Sequence, residues 1–189
     1  MNVPKDRRII IVAPRRTRDT NASFEATVAK MCDYANEKYN CYTLFISMQL
    51  NKDEQISRNI SSKMKTPNMV IENRLSVSEF MSIISASDLC IGMRLHSLIY
   101  SVVGNTPLIG IAYDPKIKGF MNYMEQNMCI EISDINEDVA YKAVDEVFGN
   151  YDNVKNELAS GCARLKEKAR RNGEIAIELY EKGSVKLER

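Results

Sequence analysis

Apolar residues fall along this chain in two rhythms. Six short stretches are rich in apolar residues, the first without alternation: Ile9-Ile10-Ile11-Val12, Tyr42 to Ser47 through Leu44-Phe45-Ile46, Met69-Val70-Ile71, Leu89-Cys90-Ile91, Pro107 to Ile111 and Met128 to Ile132. Runs of this kind suit parallel strands covered on both faces. Between them the period changes to that of a helix. Phe24, Val28, Met31 and Ala35 give one apolar stripe, which predicts a helix over Ala22–Lys38.

Local signals punctuate the remaining helices. Asn51 with Glu54 three residues on predicts an N-cap, with a polar helix to about Met64 that Pro67 stops. Ser76-Val77-Ser78-Glu79 is a capping box opening a helix over Val77–Ser85. Gly92 ends the fourth strand. A helix then begins near Met93–Arg94, carries Leu95, Leu98, Ile99 and Val102, and stops at Gly104-Asn105. Asp114-Pro115 is a cap followed by proline at the first helical position, predicting a helix over about 115–125. Two helices close the chain: about Asn136–Phe148, and one from Asp152 to Arg171. Asn172-Gly173 is expected to break the latter before a last helical stretch to about Lys182.

Strand and helix thus alternate six times over short links. The predicted fold class is α/β: a doubly wound, parallel, Rossmann-like sheet of about six strands in the order 3-2-1-4-5-6. The predicted organisation is one domain over residues 1–182, including C-terminal helices over 136–182, and a flexible polar tail over 183–189.

Length and composition narrow this further. At ~150 residues per domain, 189 residues make one domain and are too few for two nucleotide-fold domains. Hydrophobic residues are 44%, charged residues 27% and the net charge is +1, so a general nucleic-acid binder is not expected. No apolar run approaches the ~20 residues of a membrane span, and Met1 to Arg8 does not read as a signal peptide. Five widely spaced cysteines without a CxxC read as reduced thiols of a cytosolic protein, with no metal site.

In such folds the ligand lies outside the carboxyl ends of the strands. Arg15, Arg16 and Arg18 follow strand one, and Ser47 and Gln49 follow strand two. Gly92-Met93-Arg94-Leu95-His96 follows strand four, and Tyr113, Asp114, Lys116 and Lys118 follow strand five. A nearly neutral chain therefore carries a cationic functional edge, suited to phosphate or carboxylate. Arg94 and His96 in a first helical turn oppose the helix dipole, a conflict that a bound anion would relieve. Arginine grips such anions at two points. His96 is the single histidine, the side-chain type that exchanges a proton near neutral pH. Taken singly, these residues also fit solvated loops or incidental helix starts; their convergence on one edge points to a site. Glycine-rich phosphate loops and GxSxG are absent.

The stretch Ser85-Ala86-Ser87-Asp88-Leu89-Cys90-Ile91-Gly92-Met93-Arg94-Leu95-His96-Ser97-Leu98-Ile99-Tyr100, followed by Pro107-Leu108-Ile109-Gly110-Ile111-Ala112-Tyr113-Asp114-Pro115-Lys116, resembles the polysaccharide pyruvyl transferase family. The likeness is to the branch that pyruvylates bacterial cell-wall polymers. It runs from Ile9–Arg15 through Ser47-Met48-Gln49 to about Met124.

The resemblance implies one half of a twin-Rossmann (GT-B) enzyme that transfers the pyruvyl group of phosphoenolpyruvate to a cell-wall or capsular saccharide as a ketal. It implies no cofactor and no metal. It maps Arg94, Leu95 and His96 onto the phosphoenolpyruvate site, with Arg15, Arg16, Lys116 and Gly92 as further substrate-binding residues. His96 is then the candidate general acid, or a phosphate ligand that assists the leaving group. The implied partners are phosphoenolpyruvate, a free or lipid-linked saccharide acceptor, and a missing N-terminal domain or partner chain that shapes the acceptor side. The chain is then expected to be a fragment, a truncated gene product or one half of an assembly, inactive alone. Its expected location is the cytoplasm, including the inner face of the membrane. The competing readings are the nucleotide-sugar half of a GT-B glycosyltransferase or sugar epimerase, with Asp114 and Glu72 as candidate carboxylates, and a non-enzymatic partner-binding module.

Overall fold

The computed structural model describes residues 3–187, with side chains as far as Lys182. Six strands alternate with seven helices: β1 (Arg8–Ala13), α1 (Ala22–Lys38), β2 (Cys41–Ile46), α2 (Leu50–Lys63), β3 (Asn68–Ile71), α3 (Val77–Ser85), β4 (Leu89–Gly92), α4 (Leu95–Val103), β5 (Leu108–Ala112), α5 (Pro115–Tyr123), β6 (Cys129–Glu131), α6 (Glu137–Gly149) and α7 (Tyr151–Leu187). All neighbouring strands are parallel, in the order β3-β2-β1-β4-β5-β6. The α/β class and the strand order are those the sequence predicts.

Alternate residues of each strand feed different cores, because strand side chains alternate between faces. Ile10 and Val12 of β1, Phe45 of β2, and Leu89 and Ile91 of β4 pack with α1, α2 and α6. Ile11 and Ala13 of β1, Leu44 and Ile46 of β2, and Cys90 of β4 pack with Phe80 and Ile84 of α3. A third cluster joins Leu98 and Val102 of α4, Leu108 of β5, Ile117 and Met121 of α5, and Leu158 of α7. Burial on both faces explains why the strands read as unbroken apolar runs.

Gly92 is the tightest point between sheet and helix. A Cβ there would lie 2.5 Å from Ser97 Oγ and 2.7 Å from Leu98 Cδ2. Only a residue without a side chain lets α4 turn back so closely on β4. Ala13 and Gly92 are register partners, and the Met93 amide extends that pairing by donating to the Ala13 carbonyl at 3.0 Å.

Two local expectations are corrected. Asn51 does not cap α2. Gln49 is the N-cap residue, makes no side-chain cap, and its amide donates to Asp53 Oδ2 at 3.0 Å. A carboxylate four residues downstream fixes the helix start, so the Asn51–Glu54 spacing is not used. Asn172-Gly173 does not interrupt α7 either. Glycine inside a helix costs only ~1 kcal/mol. Ion pairs Arg170–Glu174 at 3.0 Å, Arg171–Glu174 at 3.1 Å and Arg171–Glu178 at 3.4 Å bridge the site on the helix surface. The helix backbone continues to Leu187; residues 188 and 189 of the expected tail lie outside the described residues.

Among the described residues, no helix is long and apolar enough to cross a membrane.

Candidate functional site

A cleft of about 770 Å³ opens over the carboxyl ends of β2 and β4. Four segments line it, the first two of them consecutive in the chain. Ser47, Met48 and Gln49 leave β2; Leu50, Asn51 and Lys52 form the first turn of α2; Arg74, Leu75, Val77 and Phe80 come from the β3–α3 connection and α3; Arg94, His96 and Tyr100 come from the start of α4. Cationic or proton-exchanging groups enter from three of these segments: Lys52, Arg74, Arg94 and His96. Among the described residues, no carboxylate lines the cleft.

The N-termini of α2 and α4 both border this space, and neither is capped by a side chain. The other short helices differ. Asn21, Ser76, Asp114 and Asn136 cap α1, α3, α5 and α6 through side-chain oxygens. At α4 the N-cap residue is Arg94 itself, which has no oxygen to offer. The first amides of α2 and α4 are thus left to the cleft, together with the positive ends of two helix dipoles.

Arg94 stands at the N-cap, one position before the first turn where the sequence places it. Its guanidinium forks onto a buried carboxylate: Nε donates to Asp53 Oδ2 at 2.9 Å and Nη2 to Asp53 Oδ1 at 2.6 Å. Nη2 also reaches Gln49 Oε1 at 3.3 Å. The Asp53 side chain is 0% exposed and that of Arg94 16%. Arg94 is therefore not a loose cation waiting for an anion. It is clamped, and its Nη1 makes no hydrogen bond among the described residues.

His96 is exposed at the second position of α4, with its ring centroid 6.1 Å from that of Tyr100 one turn on. Ser47 is its opposite in character. Its residue is 7% exposed, and its Oγ is buried without a hydrogen-bond partner.

The other sequence-derived candidates lie elsewhere. Arg15 donates through Nη1 to the Tyr113 hydroxyl, and its guanidinium sits 4.7 Å from the Tyr113 ring centroid. Lys116 pairs with Asp114 at 3.3 Å. Asp114 caps α5 through the Lys116 amide, and that hydrogen bond holds its carboxyl below the usual aspartate range. These residues form a second cluster between the ends of β1 and β5, outside the lining of the cleft. Arg16 is paired with Glu25 at 3.3 Å. Leu95 packs against the α4–α5–α7 core, and Gly92 serves the close approach of α4 to β4. Of the two carboxylates considered for a nucleotide-sugar site, Asp114 is taken by Lys116 and Glu72 by Arg58, at 2.5 Å.

Sequence reasoning missed Lys52, Arg74 and Asp53. Arg74 stands shortly after β3, as Arg94 stands shortly after β4, so the rule that ligands gather at the carboxyl ends of strands reaches both. Asp53 carried no signal. It sits inside a polar helix, and only the tertiary fold brings it to Arg94.

The profile of the polysaccharide pyruvyl transferase family matches residues 2–115, more than half of the chain and every residue lining the cleft. The chain belongs to the polysaccharide pyruvyl transferase family. It is thereby a member of a transferase family. Comparison with curated proteins gives no match.

Solved structures similar to this family member share its fold at low identity. A Staphylococcus aureus MnaA–UDP complex is 11% identical with a TM-score of 0.61, over 81% of this chain and 40% of that one. An α,α-trehalose-phosphate synthase (UDP-forming) from Burkholderia vietnamiensis is 10% identical with a TM-score of 0.58, over 90% and 44%. An O-GlcNAc transferase from Thermobaculum terrenum is 11% identical with a TM-score of 0.56, over 90% and 38%. The chain spans about two fifths of the length of these structures. Its fold is that of one half of a GT-B enzyme.

Proposed function

We propose that this chain forms the donor-binding wall of a polysaccharide pyruvyl transferase, and that its cleft takes phosphoenolpyruvate. One observation carries the reading: two uncapped helix N-termini and four cationic or proton-exchanging side chains meet in a cleft that, among the described residues, no carboxylate lines. Phosphoenolpyruvate carries a phosphate and a carboxylate on a three-carbon frame, so it needs several positive groups held at fixed spacing.

The reaction asks little else of this wall. C3 of the enolpyruvyl group takes up a proton, and C2 becomes electrophilic. One sugar hydroxyl adds to C2, phosphate leaves, and a second hydroxyl closes the ketal. Of the two hydroxyl protons, one ends on the new methyl group and the other leaves with phosphate. His96, exposed in the cleft and unburdened by an ion pair among the described residues, is the candidate acid. Arg94 and the α4 N-terminus hold the phosphate as its negative charge grows. Clamping by Asp53 keeps Arg94 in one position, so little side-chain freedom is lost on binding. Arg15 and Lys116 belong to the neighbouring cluster and serve the site at longer range. The saccharide and the groups that select it are assigned to a second wall facing this cleft.

A nucleotide-sugar ligand is the second reading, favoured by the UDP named in two of the similar structures. The absence of a carboxylate from the cleft lining opposes it, since a ribose is commonly held by one. Calorimetric titration separates the two. Saturable heat with phosphoenolpyruvate and none with uridine diphosphate supports the donor reading; the reverse result replaces it.

A further inference from the structure

Ser47 is a group for which the fold provides no use. Buried hydroxyls find a partner in nearly every native structure. Ser47 Oγ has none, although the residue is 7% exposed and lines the cleft. It lies at the carboxyl end of β2, where the chain turns into α2. That helix begins at Leu50 behind an N-cap residue whose side chain makes no cap. The Gln49 amide is spent on Asp53 Oδ2, and the Lys52 and Asp53 amides return to the Gln49 carbonyl. The Leu50 and Asn51 amides make no backbone hydrogen bond among the described residues.

An unsatisfied hydroxyl donor beside two open amides is a local set of donors without an acceptor. It is separate from the donors of α4, and Arg94 spans the interval between them, being the N-cap of α4 and reaching Gln49 Oε1 at 3.3 Å.

We propose that Ser47 and the N-terminus of α2 form an anion subsite of their own, and that it takes the carboxylate of phosphoenolpyruvate while the α4 end takes the phosphate. This rests on the donor reading above. The assignment of the two anions comes from the reaction. The phosphate is the leaving group, so it belongs beside His96, the candidate acid, and the α4 N-terminus. The carboxylate is retained in the product and is left to the Ser47 hydroxyl and the α2 amides, in the turn that also carries Lys52.

Ser47→Ala is a clean probe, because it removes a hydroxyl that holds nothing in the fold. Its melting temperature should not fall below that of the original chain. Calorimetry is run on both proteins with two probes, phosphoenolpyruvate and inorganic phosphate. The expected result is that Ser47→Ala weakens phosphoenolpyruvate about tenfold, the worth of one hydrogen bond to a charged group, and leaves inorganic phosphate unchanged. Equal weakening of both probes overturns the assignment of the carboxylate. Unchanged binding of both overturns the subsite while leaving the donor reading intact. Failure of the original chain to bind phosphoenolpyruvate overturns the donor reading, and the subsite with it.

Discussion

Asp53 holds Arg94 in a two-point grip and so ties the N-terminus of α4 to that of α2. One carboxylate accepts from the α4 N-cap side chain and from the α2 N-cap amide. The relationship changes what Arg94 contributes. A free arginine would add a full charge to the cleft, whereas this one is largely neutralised by its partner and acts as a fixed donor. The positive field of the cleft then comes mainly from Lys52, Arg74 and the two helix ends.

The grip predicts a stability cost. Removing Arg94 leaves a fully buried carboxylate without its cation, which costs about 3 kcal/mol or more. Arg94→Ala should lower the folding stability by that amount. The double variant Asp53→Leu with Arg94→Met should recover most of it, since a buried pair exchanged for apolar groups is often neutral. Urea unfolding of the original chain, the single variants and the double variant checks this. Additive losses in the double variant would show that the two residues do not depend on each other.

Gly92 should tolerate no side chain. Gly92→Ala places a Cβ within 2.5 Å of Ser97 Oγ and 2.7 Å of Leu98 Cδ2, an overpacking worth about 1–3 kcal/mol. Ser97 also holds the Arg94 carbonyl at 2.6 Å, so the displaced helix start should weaken phosphoenolpyruvate binding as well. Melting and titration on the same sample check both effects.

The capping box of α3 sets a pH dependence. The Ser76 backbone amide, and then its hydroxyl, hold the Glu79 carboxyl below the usual glutamate range. A lowered folded value means that the stabilisation is complete above the unfolded value of ~4.3. It is lost as pH falls through the folded value. The melting temperature of the original chain should therefore exceed that of Glu79→Gln at neutral pH, and the difference should close below about pH 4. A difference that persists unchanged to about pH 3 would assign the effect to something other than the ionised carboxylate.

Stability and activity should separate at His96. Its side chain is exposed, so His96→Ala should change folding stability by no more than ~0.5 kcal/mol. With the acceptor-side half supplied, the same variant should lose phosphate release from phosphoenolpyruvate. A variant that turns over normally would remove His96 from the chemistry.

The fold was legible where each local signal agreed with the next. The six apolar runs, the Ser76–Glu79 box and the Asp114-Pro115 start each placed an element, and six alternations of strand and helix over short links pointed to the doubly wound strand order. The signals failed where tertiary contacts took over. Asn51 looked like a cap, but a carboxylate at position 53 fixed the start of α2. Asn172-Gly173 looked like a stop, but surface ion pairs carried α7 through. The site was half legible. Arg94 and His96 were found because they stand just after a strand. The cationic residues after β1 and β5 looked equivalent to them, yet Arg15 turns to Tyr113 and Lys116 to Asp114, outside the lining of the cleft. The Asp53–Arg94 pair spans 41 positions, and no local pattern encodes it.

A single histidine makes the central claim directly measurable, since the imidazole resonances of this chain can only come from His96. Proton NMR of those resonances, recorded while phosphoenolpyruvate is added, reports whether the donor reaches the cleft. A saturable shift with phosphoenolpyruvate, absent with uridine diphosphate, is the predicted result. Resonances that stay unmoved by phosphoenolpyruvate under conditions where calorimetry shows binding would place the donor elsewhere and contradict the assignment.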